Sequence, residues 1–171
     1  MKALDGYVTR PTADKVKESL FNILMGEINE AYVLDLFAGT GSLGIEALSR
    51  GARHAVFIDN NIKAVSIIKE NLIHTKLSEK GTVIKGDAFA ELYKLSQKGE
   101  KFDIIFIDPP YNKGLAIEAL KAIDELNVLS DEGIISVEVN SKENLPDGLG
   151  TLALTSKRKY GDTTLAFYRK R

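Results

Sequence analysis

Apolar residues recur along this chain in two alternating patterns, which predict helices and strands in regular succession. Residues 12–28 are predicted to form the first helix, with Pro11 at its entrance and Thr12 as a candidate cap. Apolar side chains at helical spacing give that helix one buried face: Val16, Leu20, Ile23 and Leu24. The further predicted elements are strands over 31–37, 54–59, 82–86, 102–107 and 133–139, alternating with helices over 41–50, 62–75, 88–96 and 115–126.

The middle strands are largely apolar on both faces, as residues 33–37 and 104–107 show. Such strands are typical of a parallel sheet covered on both sides. The alternation of strands and helices therefore predicts a doubly wound α/β fold. After residue 150 the pattern changes, because strands over 152–159 and 164–169 flank the turn Tyr160-Gly161-Asp162 and predict an antiparallel hairpin. We expect a mainly parallel sheet of seven strands that ends in this hairpin.

Length and composition limit the classes of protein to consider. With 171 residues, the chain is predicted to form one domain, with a helical segment over 1–29, an α/β core over 30–140 and the hairpin over 150–171. There is no run of 18 apolar residues and no apolar stretch near Met1 that resembles a signal peptide. The absence of cysteine excludes disulfides, thiolate metal sites and cysteine nucleophiles. We expect a cytoplasmic protein.

Basic residues concentrate near the C-terminus, in Lys157-Arg158-Lys159 and Arg169-Lys170-Arg171. The net charge is −1 and the isoelectric point is near 6.2, whereas a dedicated nucleic-acid binder is usually basic overall. Any surface for nucleic acid must therefore be local. Taken alone, both clusters fit RNA contacts or solvated strand edges, where Lys and Arg discourage edge pairing.

A glycine-rich loop follows the first predicted strand. Gly39, Gly41 and Gly44 fit the spacing G-x-G-x-x-G between a strand and a helix, a signature of nucleotide-binding loops. Asp59 ends the next strand, twenty residues after Gly39, where a carboxylate can bind both ribose hydroxyls of an adenosine. This pattern formally matches a nicotinamide dinucleotide site as well as other adenosine sites.

Two further carboxylates favour a cationic adenosine ligand. Asp35 lies just before the glycine loop, where it could hold an ammonium group through the loop backbone or water, and Asp87 follows the third strand, where it could reach an adenine amine. A helix cap is the alternative role for Asp59 and for Asp87 individually. Three acidic strand ends around one glycine loop suit S-adenosylmethionine better than a pyrophosphate.

The segment Asp108-Pro109-Pro110-Tyr111 ends the fourth strand. Neither proline has an N–H group, so the strand ladder stops and leaves a rigid turn. A carboxylate, backbone carbonyls and an aromatic ring in this order suit a planar base with an exocyclic amine. We interpret this turn as the pocket of an enzyme that modifies an amino group on a nucleobase; the alternative is a strand-ending turn with a packed tyrosine.

Together these segments resemble the class I S-adenosylmethionine-dependent methyltransferases and, more narrowly, the RsmD family of 16S ribosomal RNA guanine-N2 methyltransferases. Residues 10–22, 35–44, 108–111 and 159–163 carry the resemblance. It implies a Rossmann-like fold and methyl transfer to a guanine of 16S ribosomal RNA in a partly assembled small subunit, by a monomer without a metal. Members typically carry a further basic, strand-forming segment before the position of Lys2, which the resemblance implies helps to hold RNA. We expect an intact methyl-donor site in this chain.

The site residues follow from the motifs and from the resemblance together. The candidate catalytic residues are Asp108, Pro109, Pro110 and Tyr111. The candidate donor-binding residues are Arg10, Thr12, Asp35, Phe37, Ala38, Gly39, Thr40, Gly41, Asp59, Asn60, Asp87 and Ala88. Arg10 and Thr12 enter because the resemblance implies that their segment covers the donor pocket; the alternative is a structural role.

Three other functions remain open. Asp-Pro-Pro-Tyr also occurs in adenine-N6 methyltransferases, although the chain shows no separate target-recognition domain. A nicotinamide-dependent oxidoreductase could use the glycine loop, but it would not explain Asp-Pro-Pro-Tyr. A non-catalytic RNA-binding factor could retain the fold, but an intact glycine loop together with an intact amine pocket favours an enzyme.

Overall fold

A computed structural model describes residues 2–3, 11–110 and 114–171, except the side chains of residues 11 and 12. The helices are α1 (Pro11–Ile23), α2 (Ser42–Ser49), α3 (Ile62–His74), α4 (Ala88–Gln97) and α5 (Leu115–Leu126). The strands are β1 (Tyr32–Asp35), β2 (His54–Asp59), β3 (Gly81–Lys85), β4 (Phe102–Ile107), β5 (Leu129–Asn140), β6 (Gly148–Leu149), β7 (Leu152–Tyr160) and β8 (Thr163–Lys170). A short 3-10 turn, Ser78–Lys80, leads into β3.

All eight strands form one sheet in the order β3-β2-β1-β4-β5-β8-β7-β6. The first five strands are parallel, and β8, β7 and β6 are antiparallel to their neighbours. The chain leaves β1 toward β2 on one side and later returns to β4 on the other side. In doubly wound sheets, ligands bind outside the carboxyl ends of the strands at such a reversal of strand order. The topology therefore predicts a ligand site at the carboxyl ends of β1 and β4.

Two apolar layers cover the sheet, one on each face. Helices α1, α2 and α3 pack on one face through residues such as Leu20, Leu48 and Ile68. Helices α4 and α5 pack on the other face through Leu92 and Leu120. Because both faces are covered, β1 and β4 are buried except at Tyr32 and Asp103 near their starts, which explains their nearly continuous apolar sequence.

The predicted fold class is confirmed, with differences at individual elements. The sheet has eight strands rather than seven, because two residues, Gly148–Leu149, pair with the start of β7. Strand β5 begins at Leu129, four residues before the predicted start. Leu129 pairs with Phe102 of β4, and the register then shifts so that Ile104 pairs with Ile134. Both differences lie away from the reversal of strand order at β1 and β4, and the predicted parallel sheet with its antiparallel hairpin is unchanged.

Helix α1 differs at both ends from its predicted bounds of 12–28. It begins at Pro11, so Thr12 lies inside the first turn and is not its N-cap. Proline is favoured at that first position because the N–H it lacks would have no helical partner. The helix ends at Ile23 and continues as turns, although Leu24 and Ile28 remain buried.

We predict that Gly44→Ala destabilises the protein, because Gly44 of α2 packs directly against β2. A Cβ atom at Gly44 would lie 2.3 Å from Cε1 of Phe57, a ring that is fully buried. Overpacking of this kind typically costs about 1–3 kcal/mol. Urea unfolding of Gly44→Ala against Gly26→Ala measures the effect, since a Cβ at Gly26 meets no atom within 4 Å. Equal stability of both variants would contradict the close helix–strand packing.

Candidate functional site

A cavity of about 830 Å³ opens at the carboxyl ends of β1, β2, β4 and β5. Its lining contains seven carboxylates and two lysines among the residues that the structure describes: Asp14, Asp35, Asp59, Asp87, Asp108, Glu138 and Glu143, with Lys2 and Lys17. Such a lining produces a negative potential that attracts cations and repels phosphates. The volume is in the range of cavities that hold small ligands.

The glycine loop forms the floor of this cavity between β1 and α2. Gly39 has φ of 59°, a backbone conformation that side chains rarely adopt, and a Cβ atom there would meet nothing within 4 Å. Its N–H donates to Oδ2 of Asp59 at 2.9 Å. The loop is therefore held from below by a carboxylate, and open space remains above it where a ligand could lie against the backbone.

Asp59, the last residue of β2, joins two segments of the site. Its Oδ2 accepts from Gly39 N–H, and its Oδ1 accepts from Asn61 N–H at 2.9 Å. The N-cap of α3 is Asn61, whose side chain accepts from the N–H groups of Lys63 and Ala64. Asp59 is thus not the helix cap. Each carboxylate oxygen can accept a second hydrogen bond, so Asp59 can also bind hydroxyl groups in the cavity.

Asp35 ends β1 beneath the glycine loop and is 2% exposed. Its Oδ2 accepts from Gly44 N–H at 3.1 Å. Burial raises the pKa of this carboxyl from 3.8 to about 7; the hydrogen bond from Gly44 opposes the increase, and the charge of Asp59 adds to it. Ionisation of such a buried acid lowers the stability of the fold. Asp35 is therefore a candidate functional residue of the cavity rather than a stabilising one.

We predict that the stability difference between the protein and its Asp35→Asn variant depends on pH. The pKa of Asp35 is higher in the folded state, so its stabilising contribution is complete below pH 3.8 and is lost as pH rises toward 7. Between pH 5 and pH 8, the wild type should lose about 2–3 kcal/mol of unfolding free energy relative to Asp35→Asn. Urea titrations at several pH values measure this difference, with exposed Asp131→Asn as control. Parallel curves for wild type and Asp35→Asn would contradict the raised pKa.

Asp87 and two aromatic rings form the side of the cavity next to α4. Asp87 is the N-cap of α4, and its Oδ2 accepts from both Phe89 N–H and Ala90 N–H, at 3.1 and 3.0 Å. The capping bonds use a single oxygen, so Oδ1 can accept from a ligand. The rings of Phe37 and Phe89 also line the cavity, edge to face with centroids 6.4 Å apart. Phe89 was missed at the sequence level, where only its position after Asp87 could have indicated it.

Asp108, Pro109 and Pro110 line the cavity directly after β4, next to the end of β1. Burial, then the charge of Glu138, then that of Asp35, raises the pKa of Asp108 well above its usual value. Glu138 belongs to β5 and lines the same cavity, and burial raises its pKa as well. Sequence reasoning missed Glu138, for which the only signal was that it is the single charged residue of the predicted strand 133–139.

The structure brings most of the predicted site residues to this one cavity. Gly41 is an exception, since it does not line the cavity: its N–H donates to Ala38 O at 2.8 Å, and a Cβ atom there would lie 3.2 Å from Cγ2 of Ile68. Arg10 and Tyr111 lie outside the described residues, as does the side chain of Thr12, so their roles stay predictions. The predicted residues that line the cavity are Asp35, Phe37, Ala38, Gly39, Thr40, Asp59, Asn60, Asp87, Ala88, Asp108, Pro109 and Pro110.

Within residues 2–3, 11–110 and 114–171, no three His, Cys, Asp or Glu side chains form a group that could hold a metal ion. No helix in the same ranges is long and apolar enough to cross a membrane. The expectation that the reaction needs no metal stays a prediction.

Comparison with known sequences identifies the family. The model of the family described as Conserved hypothetical protein 95 matches residues 1–169. The chain is 42% identical over 171 residues to "Putative rRNA methyltransferase YlbH" of Bacillus subtilis, covering 100% of this chain and 93% of that protein. It is 35% identical over 161 residues to ribosomal RNA small subunit methyltransferase D of Escherichia coli, covering 94% of this chain and 79% of the relative.

Solved structures agree with this assignment. "Putative methyltransferase yhhF from Escherichia coli" superposes with a TM-score of 0.87 at 33% identity, over 100% of this chain and 91% of that chain. A Streptococcus pyogenes structure described as a conserved hypothetical protein gives 0.83 at 33% identity, over 91% and 95% of the two chains. The chain therefore belongs to the RsmD family of class I, S-adenosylmethionine-dependent methyltransferases, as the sequence motifs predict.

Proposed function

We propose that this chain transfers a methyl group from S-adenosylmethionine to the exocyclic N2 amine of a guanine in 16S ribosomal RNA. The observation that carries the proposal is an acidic cavity beside a glycine loop, next to Asp108-Pro109-Pro110 at the reversal of strand order. Family membership supports the methyl transfer, and the names of the relatives, which refer to ribosomal RNA and to the small subunit, support the substrate. The choice of guanine N2 rests on the sequence resemblance.

The residues present fit the methyl donor. When bound, S-adenosylmethionine supplies a methyl group on a positively charged sulfur. Acidic side chains outnumber lysines by seven to two in the described lining, and this excess favours such a cation over a dinucleotide pyrophosphate even when Asp108 and Glu138 share a proton. The open space above Gly39 admits close approach of a ligand to the loop backbone. This fit distinguishes the proposed methyltransferase from a nicotinamide-dependent oxidoreductase.

Each donor-binding residue then has a defined task. Asp59 accepts hydrogen bonds from the two ribose hydroxyls, using the acceptor positions that Gly39 and Asn61 do not occupy. Oδ1 of Asp87 accepts from the adenine amine, and Phe37 contacts the adenine ring. Asp35 holds the ammonium group through the loop backbone or water. In these assignments Asp59 and Asp87 bind the donor through hydrogen bonds, and Asp35 acts on its ammonium group.

The amine of the target base lies against the turn after β4. An exocyclic amine is a poor nucleophile because its lone pair is delocalised into the ring. Asp108 and the Pro109 carbonyl accept its two hydrogens and so favour a more nucleophilic nitrogen. Tyr111, outside the described residues, would stack on the base and contribute about 1–3 kcal/mol. The base must be unstacked or single-stranded to reach this turn.

Positioning supplies much of the remaining rate. Holding two reactants in a reactive orientation can provide roughly 7–11 kcal/mol of the barrier. The ends of β1 and β4 are adjacent in the sheet, with Asp35 paired to Phe106, so the donor loop and the amine pocket are parts of one rigid sheet edge. Methyl donor and amine are therefore aligned by the backbone.

The first basic cluster is the candidate RNA surface. Lys157, Arg158 and Lys159 are exposed on β7 and form no ion pair among the residues that the structure describes. In the second cluster, by contrast, Arg169 pairs with Glu27 and Lys170 pairs with Asp131. Strand β7 ends beside Thr163, which lines the cavity, so the first cluster leads to its mouth.

We predict that replacing Lys157, Arg158 and Lys159 together by glutamine weakens RNA binding. Each lost phosphate contact lowers the slope of log affinity against log salt by about 0.7–0.9, so the slope should fall by about 2–3. Filter binding at several salt concentrations measures the slope. Lys94→Gln/Lys98→Gln is the control, because α4 begins at the cavity, and these two lysines lie in its last turn and at its C-cap, away from the cavity. Equal salt-dependence slopes for the two variants would show that residues 157–159 form a solvated strand edge rather than an RNA contact surface.

Methyl transfer itself is tested with small ribosomal subunits and tritiated S-adenosylmethionine. We expect tritium in the ribosomal RNA, in proportion to enzyme and time. Thermal shift with NADH and with S-adenosylmethionine accompanies the assay. No transfer to RNA, together with stabilisation by NADH alone, would overturn the proposed function in favour of an oxidoreductase.

A further inference from the structure

Glu138 lies beside Asp108 at the carboxyl edge of the sheet. Ile107 of β4 is paired in parallel register with Val137 of β5, so the residues that follow them, Asp108 and Glu138, are neighbours. Glu138 is also paired with Leu165 of β8, which fixes its backbone from the other side. Both carboxylates line the cavity. Strand pairing thus places a second acid at the amine pocket.

The charges around this pair leave it without a cationic partner in the described part of the chain. The charge of Asp35 acts on Asp108. The other charged residues that line the same cavity are Lys2, Asp14, Lys17, Asp59, Asp87 and Glu143. Lys2 Nζ lies 3.1 Å from Oε2 of Glu70. Lys17 is engaged elsewhere, since its Nζ lies 3.4 Å from Oε1 of Glu46 and donates to Ser42 Oγ at 3.0 Å. The charge of Asp35 has the same sign as that of the pair and opposes its full ionisation.

Two neighbouring carboxyls in such surroundings cannot both ionise easily. Burial raises the pKa of both groups, and the charge of Glu138 raises the pKa of Asp108 further. Two carboxyls that interact in this way are expected to titrate in two steps that belong to both residues together, with one proton between them at intermediate pH. In that state the pair offers one carboxylate to accept a proton and one carboxylic acid to donate a hydrogen bond.

We propose that Asp108 and Glu138 act as one proton-accepting pair during methyl transfer, with Glu138 as the second catalytic residue at the amine pocket. The inference rests on the proposed function. As the amine nitrogen forms its bond to the methyl carbon, the carbon–sulfur bond breaks and its electron pair goes to sulfur. The nitrogen then carries a positive charge and one proton too many. The ionised member of the pair takes that proton, and solvent removes it afterwards.

The shared proton can be observed without the reaction. In the protein labelled with ¹³C at glutamate and aspartate carboxyl carbons, we expect the signals of Glu138 and Asp108 to respond in the same two titration steps. In Glu138→Gln the Asp108 signal should titrate in one step at lower pH, since a neighbouring negative charge is removed. Independent single-step titrations of both carboxyls in the wild type would overturn the pair.

Single-turnover kinetics test the role in catalysis. We expect Glu138→Gln to slow methyl transfer by about 10–100-fold, as for partial loss of a general base, and to move the acid limb of the pH–rate profile to lower pH. S-adenosylhomocysteine affinity should stay within about twofold, which shows that the variant folds and binds donor. Glu132→Gln, the same change in the exposed start of β5, is the matched control.

A double variant distinguishes one unit from two separate residues. If Asp108 and Glu138 act together, Asp108→Asn/Glu138→Gln should lose little more activity than Asp108→Asn alone, because groups that act as a unit are strongly non-additive. Losses that multiply would overturn the pair, as would a wild-type rate and acid limb in Glu138→Gln. If the wild type transfers no methyl group to RNA, the proposed function fails and the catalytic role of Glu138 fails with it.

Discussion

Replacing Asp108 by asparagine is expected to slow methyl transfer by about 10²–10⁴-fold, the range for loss of a general base. Asparagine keeps the size of the side chain and one acceptor oxygen, but it cannot take a proton. The candidate donor-binding residues that line the cavity lie on or directly after β1, β2 and β3, so S-adenosylhomocysteine should bind with unchanged affinity. Rapid-quench measurement of one turnover, with calorimetric titration of S-adenosylhomocysteine in parallel, separates the two effects.

The matched control for this experiment is Asp103→Asn at the start of the same strand. Asp103 accepts from Tyr32 N–H and Ser130 Oγ, away from the cavity, so this change affects stability and leaves the chemistry intact. Retention of most activity by Asp108→Asn would eliminate its role as a base and would leave only the positioning of the amine.

Asp59→Ala is expected to lower S-adenosylhomocysteine affinity by about 10²-fold or more. The change removes the acceptor for two ribose hydroxyls, and hydrogen bonds to a charged group contribute about 1.5–3 kcal/mol each. It also removes the acceptor of Gly39 N–H, so the glycine loop loses its anchor. Calorimetric titration of the variant against wild type measures the loss.

Asp131→Ala serves as the comparison, since Asp131 lies on an exposed part of β5 and pairs only with Lys170 among the described side chains. A temperature melt shows how much of the Asp59→Ala effect is unfolding. An Asp59→Ala variant that binds S-adenosylhomocysteine as tightly as wild type would refute the ribose role.

Hydrophobic periodicity predicted the fold well because it reports burial. The bounds of β2, β4 and α5 agree with the predicted 54–59, 102–107 and 115–126. The end of α1 was placed too late for the same reason, since Leu24 and Ile28 are buried although the backbone has left the helix. Strand β6 could not be found, because two residues carry no period.

Site residues were predictable from sequence where they lie at or directly after the end of a predicted strand. Asp59 ends a strand, the glycine loop, Asp87 and Asp108 each follow one, and parallel strands bring their ends to one edge. Glu138 lies inside β5 and becomes part of the site only through the register between β4 and β5. No local pattern encodes that register, so this residue required the three-dimensional structure.

The central claim is most directly tested by identifying the nucleoside that the enzyme methylates. Small-subunit RNA is digested after reaction with S-adenosylmethionine, and the nucleosides are separated and analysed by mass spectrometry. We predict N2-methylguanosine, present with the wild type and reduced to background with Asp108→Asn. N6-methyladenosine in its place would contradict the guanine assignment and would identify an adenine methyltransferase with the same donor site.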